Sequence, residues 1–112
     1  MMKIYGIKNC DTVKKALKYL DAKGASYEFI DYKKTPPTKE DLKRWDEAFG
    51  ELPANKRGPT FRKIKDEFEG ATKAQQIKLL IENTSAIKRP ILEKGKKTLR
   101  GFSAEEWDKV VK

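Results

Sequence analysis

The first thirty-two residues constrain the fold more than any other stretch. KIYGI (3–7) alternates in polarity and reads as a short strand. Val13, Ala16, Leu17 and Leu20 then fall at helical spacing, Gly24 closes that helix, and SYEFIDY (26–32) alternates again. A strand, a helix and a strand within about thirty residues make a right-handed crossover and a parallel pair. Any fold for this chain must be built around that unit.

Downstream, Thr38 is a good N-cap and Asp41 can close a capping box, which predicts a helix over 39–49. GELPANKRGPT (50–60) breaks regularity with two Gly and two Pro, and a short helical piece follows at 61–68. A clearer helix is expected over 71–82, with Ala74, Ile77, Leu80 and Ile81 on one side. Then AIKRPILEKGKKTLRGF reads as a strand at 91–93, a tight turn at Gly95 and a partner strand ending near Gly101. Ser103, with Glu106 three residues on, caps a last helix whose apolar face is Trp107, Val110 and Val111. The fold class predicted is α/β: the β-α-β plus β-β-α order of thioredoxin-like domains, with a mixed four-stranded sheet and a helical insertion. The expected organisation is a single domain over 1–112, with 1–34 and 85–112 forming the core and 35–84 the insertion.

At 112 residues the chain can bury a core without disulfides or metals. One cysteine allows no internal disulfide, and the absence of histidine removes the ordinary zinc site, so no metal is expected. MMKIYGIKNC has neither an apolar h-region nor a cleavage site, and no stretch approaches a membrane span. A soluble protein of a reducing cytoplasm is the simplest expectation. The net charge of +9 comes from 26 basic against 17 acidic residues. Most of the basic residues are Lys scattered among Glu and Asp, with no basic stripe interleaved with aromatics, so the charge reads as a solvated surface rather than a nucleic-acid site. Arg is scarce (Arg44, Arg57, Arg62, Arg89, Arg100), and in a Lys-rich chain an Arg marks places where a planar fork matters. No apolar helix face is left over once the core is assigned, so a monomer is expected.

The only cysteine, Cys10, lies in YGIKNCDT, between the first strand and the first helix. Free N–H groups and the positive end of a helix dipole stabilise a thiolate there. The plain alternative is an inert buried thiol. The polar turn-formers Asn9 and Asp11 on either side of Cys10 argue against it. Asp11 works the other way on acidity, since a neighbouring carboxylate raises a thiol pKa; Lys8 or an incoming Arg must offset it. Without histidine, activation has to be electrostatic rather than through a Cys–His pair. Without a second cysteine, any disulfide formed at Cys10 must be resolved by an outside thiol. A second group is IKRPI (87–91): Pro90 before a strand can be cis, and in a thioredoxin-like layout it faces the start of the first helix and brings Arg89 toward Cys10. Arg57 in the NKRG loop and Arg100 in the last strand complete a candidate site for an oxyanion or a carboxylate-bearing thiol. The plain readings are an edge-strand Pro beside a surface Arg, a solvated loop cation, and one more charge near Lys96 and Lys97.

YGIKNCDTVKKA, NKRGPTFRKI and IKRPIL…GFS, in that order along essentially the whole chain, resemble the ArsC/Spx superfamily, most closely its small YffB-like proteins. The resemblance implies a thioredoxin-like sheet with a helical insertion. In arsenate reductases of this superfamily the motif cysteine attacks arsenate while three Arg hold the oxyanion. Glutathione then attacks the cysteine–arsenic adduct, and glutaredoxin clears the mixed disulfide. By this likeness Cys10 matches the nucleophile; Arg57, Arg89 and Arg100 match the anion-binding Arg; and Lys8, Asn9, Thr12 and Pro90 form the supporting frame. Where those reductases carry His four residues before the nucleophile, this chain has Gly6. The Spx branch, which binds RNA polymerase and senses redox state, typically uses a CxxC pair; Asp11, Thr12 and Val13 after Cys10 exclude that switch.

The resemblance therefore implies a monothiol, glutathione-dependent thiol oxidoreductase that binds no resident cofactor and takes glutathione as co-substrate, with glutaredoxin as a candidate partner. A glutaredoxin-coupled arsenate reductase and an Spx-like RNA polymerase-binding regulator are the alternatives. Fold alone does not choose between enzyme and binding module.

Overall fold

In a computed structural model, residues 2–111 are described. The alternating start of the chain forms β1 (Met2–Gly6), followed by α1 (Asp11–Ala22) and β2 (Tyr27–Asp31). β1 and β2 pair in parallel, Met2 opposite Tyr27 and Gly6 opposite Asp31. Then come three helices, α2 (Lys39–Phe49), α3 (Pro59–Glu69) and α4 (Lys73–Glu82), and a 3-10 turn at Thr84–Ala86. A hairpin, β3 (Ile91–Lys94) and β4 (Lys97–Arg100), and a closing helix α5 (Ala104–Val111) finish the chain. The sheet order is β2-β1-β3-β4, with β3 antiparallel to both neighbours. This is the mixed four-stranded sheet expected from the sequence.

The chain divides into two compact units, Met1–Thr35 with Arg89–Lys112, and Pro36–Lys88. In the first, Val13, Ala16 and Leu20 are the buried stripe of α1, and Ala16 and Leu20 join Met2, Ile4, Leu92, Trp107 and Val111 in one apolar cluster. Trp107 is wholly buried; its indole N–H donates to the Gly101 carbonyl at 3.1 Å, and its ring meets Phe102 and Tyr19 edge-on. The last carbonyls of α5, on Val110 and Val111, accept from the Lys94 ammonium at 2.9 and 3.3 Å, which satisfies acceptors that a helix end otherwise leaves open.

In the second unit Leu42 and Trp45 of α2, Phe61 and Phe68 of α3, and Ile77 and Leu80 of α4 are buried. Both α2 and α3 pack against α4. The residues of NKRG are tied down at their start: Asn55 N–H donates to the Ala86 carbonyl, and Lys88 N–H to that of Pro53, on either side of the Ala54–Ile87 bridge. Two expectations here are corrected. The piece at 61–68 is a full helix from Pro59, because Pro is pre-set for a first helical position and Gly58 serves as N-cap. The helix expected over 71–82 begins after Thr72, which caps it; of its expected apolar side Ile77 and Leu80 are buried, Ile81 is half-buried, and Ala74, in the first turn, is exposed.

Candidate functional site

β1 ends at Gly6, and Ile7, buried, leads into a turn through Lys8 and Asn9. The Cys10 N–H donates to the Ile7 carbonyl at 3.1 Å, closing a four-residue turn, and the Cys10 carbonyl accepts from Lys14 N–H at 2.9 Å, the first bond of α1. Cys10 is therefore the N-cap residue, with φ −83° and ψ 128°. Its side chain does not close a cap as Ser or Asp would. The N–H groups of Val13 and Thr12, with no carbonyl partner so early in a helix, act on the sulfur instead.

The other half of the site comes from the amino end of β3. The antiparallel register sets Tyr5 opposite Ile91, so the end of β1 and the residues entering β3 lie together. The Arg89–Pro90 peptide bond is cis, as expected for this proline. Pro90 is buried, and its carbonyl accepts from Gly101 N–H at 2.8 Å. From this support the Arg89 side chain reaches Cys10 and hydrogen-bonds to it. Partial burial pushes the Cys10 thiol up, but the Val13 N–H, the Arg89 side chain, the Thr12 N–H and the Arg89 charge together outweigh it, so its pKa lies below the ordinary thiol value. Asp11 is exposed at the first helical position, and the net shift at Cys10 is downward with that carboxylate beside it. Its carboxylate complements the helix dipole.

The first unit thus brings together Cys10, Thr12 and Arg89, with the buried cis Pro90 following Arg89. Lys8 and Asn9 are exposed in the turn, and Lys8 borders a hollow with Phe29, Asp31 and Lys34. Arg100 is the last residue of β4, paired with Ile91 and half-buried. Arg57 belongs to the second unit, exposed in the turn ahead of α3. Sequence reasoning missed Val13, whose contribution is a backbone N–H that its apolar side chain conceals. Among the described residues no group of three or more His, Cys, Asp or Glu could hold a metal ion.

The ArsC family model matches residues 5–110. This chain belongs to the ArsC family. A solved YffB protein is 38% identical over the whole of both chains, with a TM-score of 0.92. An arsenate reductase (ArsC)-related protein of Brucella melitensis is 37% identical, over 97% of this chain and 92% of that one, with a TM-score of 0.71. A glutaredoxin of Archaeoglobus fulgidus, 16% identical with a TM-score of 0.55 over 98% of this chain and 84% of that one, shares the fold alone. The architecture is thioredoxin-like, and the neighbours of this ArsC-family chain are reductase-like.

Proposed function

We propose that this ArsC-family protein is a monothiol, glutathione-dependent thiol oxidoreductase with Cys10 as its nucleophile. The observation that carries the reading is the Cys10 sulfur at the start of α1, acted on by two backbone N–H groups and by the Arg89 side chain. These are the features that hold a thiolate ready to attack. In the proposed reaction the thiolate attacks a sulfur of a disulfide substrate; the S–S bond breaks, the substrate leaves as a thiolate, and Cys10 is held in a mixed disulfide. A glutathione thiolate then attacks the substrate sulfur of that bond, releasing the Cys10 thiolate and a glutathione–substrate mixed disulfide, which a second glutathione reduces to the free substrate thiol and glutathione disulfide. The two electrons come from glutathione, because Cys10 has no second cysteine in the chain to resolve it. Arg89 orients the anionic group of the substrate or the carboxylates of glutathione. Arg57 and Arg100 are proposed as further anion contacts, with Lys8, Asn9, Thr12 and Pro90 framing the thiol. The whole chain acts as one domain in the cytoplasm, with the helices of 35–84 as an insertion; among the described residues no helix is long and apolar enough to cross a membrane.

Arsenate is the second reading, favoured by the guanidinium beside the thiol and by relatives named for arsenate reductase. One coupled assay separates the two. Glutathione, glutaredoxin, glutathione reductase and NADPH are supplied with either arsenate or a small mixed disulfide, for wild type and Cys10→Ser. The expected result is Cys10-dependent NADPH oxidation with the disulfide. Oxidation that needs arsenate and Cys10 makes the protein an arsenate reductase. If neither substrate gives Cys10-dependent turnover while Cys10→Ser still captures RNA polymerase, the protein is a binding module and the proposal fails.

A further inference from the structure

Gly6 is the last residue of β1 and is buried. Its strand is a central one: Gly6 is paired with Asp31 of β2, its carbonyl accepts from Tyr32 N–H at 2.8 Å, and the preceding Tyr5 is paired with Ile91 of β3. A Cβ built on Gly6 lies 2.8 Å from Val13 Cγ2, 3.5 Å from Val13 Cγ1 and 3.7 Å from Arg89 Cβ. The first distance is one that real Cβ atoms essentially never show. Gly6 takes no positive φ here, so backbone freedom does not explain the glycine. Close approach does.

The residue seated on Gly6 is the one whose N–H acts on the thiol. Val13 is the third residue of α1 and is wholly buried. A β-branched side chain in a helix has essentially one rotamer, so Val13 cannot swing away from an added methyl. The strand is held on both sides by its neighbours, whereas the first turn of α1 has helix bonds on one side only. A methyl on Gly6 therefore displaces the first turn of α1, and with it the N–H groups of Thr12 and Val13. The same methyl would lie in ordinary contact with Arg89, the other group that reaches Cys10.

We infer that Gly6 is a positioning residue for Cys10: its missing side chain is the floor on which Val13 and Arg89 both rest, and this sets the sulfur against the groups that act on it. The inference rests on the thiolate reading above. It assigns to a residue that never touches substrate the reactivity of the one that does.

The test is the rate of iodoacetamide alkylation against pH for wild type, Gly6→Ala, Val13→Ala and Gly6→Ala/Val13→Ala, each with a melting curve. Gly6→Ala is expected to lose roughly three- to tenfold in alkylation rate at pH 6 and to move its profile to higher pH. Val13→Ala keeps the backbone N–H but removes the methyls that meet Gly6, so it is the reference for the double variant, with a lower Tm expected. The double variant, with room restored for the methyl, is expected to share the profile of Val13→Ala and to react faster at pH 6 than Gly6→Ala. If Gly6→Ala does not fold, the double variant carries the test on its own: a folded double variant with the profile of Val13→Ala supports the inference. A folded Gly6→Ala with an unchanged profile overturns it, as does a folded double variant that reacts like a free thiol. Should wild type itself react like a free thiol, with a midpoint near 8.5, the thiolate reading fails instead and takes this inference with it.

Discussion

The start of α1 and the starts of α2 and α4 solve the same physical problem differently. α2 opens on Thr38, whose hydroxyl accepts from Asp41 N–H at 3.1 Å while the Asp41 carboxylate accepts from Thr38 N–H at 3.0 Å. α4 repeats the device with Thr72 and Gln75, at 3.3 and 3.2 Å. These are complete capping boxes, and they consume the donors that a helix start leaves open. At α1 the cap position holds Cys10, whose side chain closes no such box, and the donors of Thr12 and Val13 act on sulfur. Thr seals the starts of α2 and α4, whereas at α1, where the thiol sits, the donors are kept for a charge. That is a local exchange of stability for reactivity, the pattern expected of a working site.

Sealing should be separable from reactivity, and the largest effect falls on the sealed ends. Thr38→Ala and Thr72→Ala are each expected to lose about 1 kcal/mol, the usual worth of a Thr N-cap. In a chain of this size that lowers Tm by roughly 4 °C each. The alkylation profile of Cys10 should not move. A shifted profile in either variant would mean that the two kinds of helix start are coupled, and the contrast would break.

Arg89→Ala sharpens the contrast from the other side. Arg89 is half-buried and acts on Cys10 by hydrogen bond and by charge, both of which lower the thiol pKa. Removing it raises that pKa, so the thiolate fraction and the alkylation rate fall at pH 6–7. Above about 8.5, where even a free thiol ionises, the variant and wild type should converge. Stability should stay within about 0.5 kcal/mol, as for substitutions away from the core. A large drop in Tm with an unchanged pH profile would make Arg89 structural.

How much could be read in advance follows the same division. The bounds of α2 were legible because Thr38 and Asp41 are a signal written in residue types. The start of α3 was not, since Gly58-Pro59 reads equally as a break or as an N-cap with Pro at the first helical position. Cys10 at a helix start was legible from its polar neighbours, and Arg89 from the proline that follows it. The N–H of Val13 and the fit of Gly6 beneath it were not. They depend on an approach so close that a side-chain carbon added at Gly6 would lie 2.8 Å from Val13 Cγ2, and residue types record such fits only weakly. A glycine at the end of an otherwise regular strand was the one available signal.

The substitution Cys10→Ser tests the comparison most directly, because it makes Cys10 into the kind of cap found elsewhere in the molecule. In Cys10→Ser the hydroxyl can close the cap and does not titrate in the working range. Wild-type Cys10 has a folded pKa below its unfolded one, so its ionisation contributes stability that is fully present above the unfolded value, near 8.5, and is lost as pH falls through the folded value. All other titrating groups are common to the two proteins and cancel in the difference. At acid pH a neutral thiol is a poor cap, and the serine variant should be more stable by about 0.5–1 kcal/mol. Toward pH 9 wild type should close that gap while keeping the reactivity the serine lacks. Urea unfolding of both proteins at pH 5, 7 and 9 under reducing conditions reads the difference. If it is independent of pH, folding does not favour the ionised sulfur, and the start of α1 is merely a weaker version of the other two.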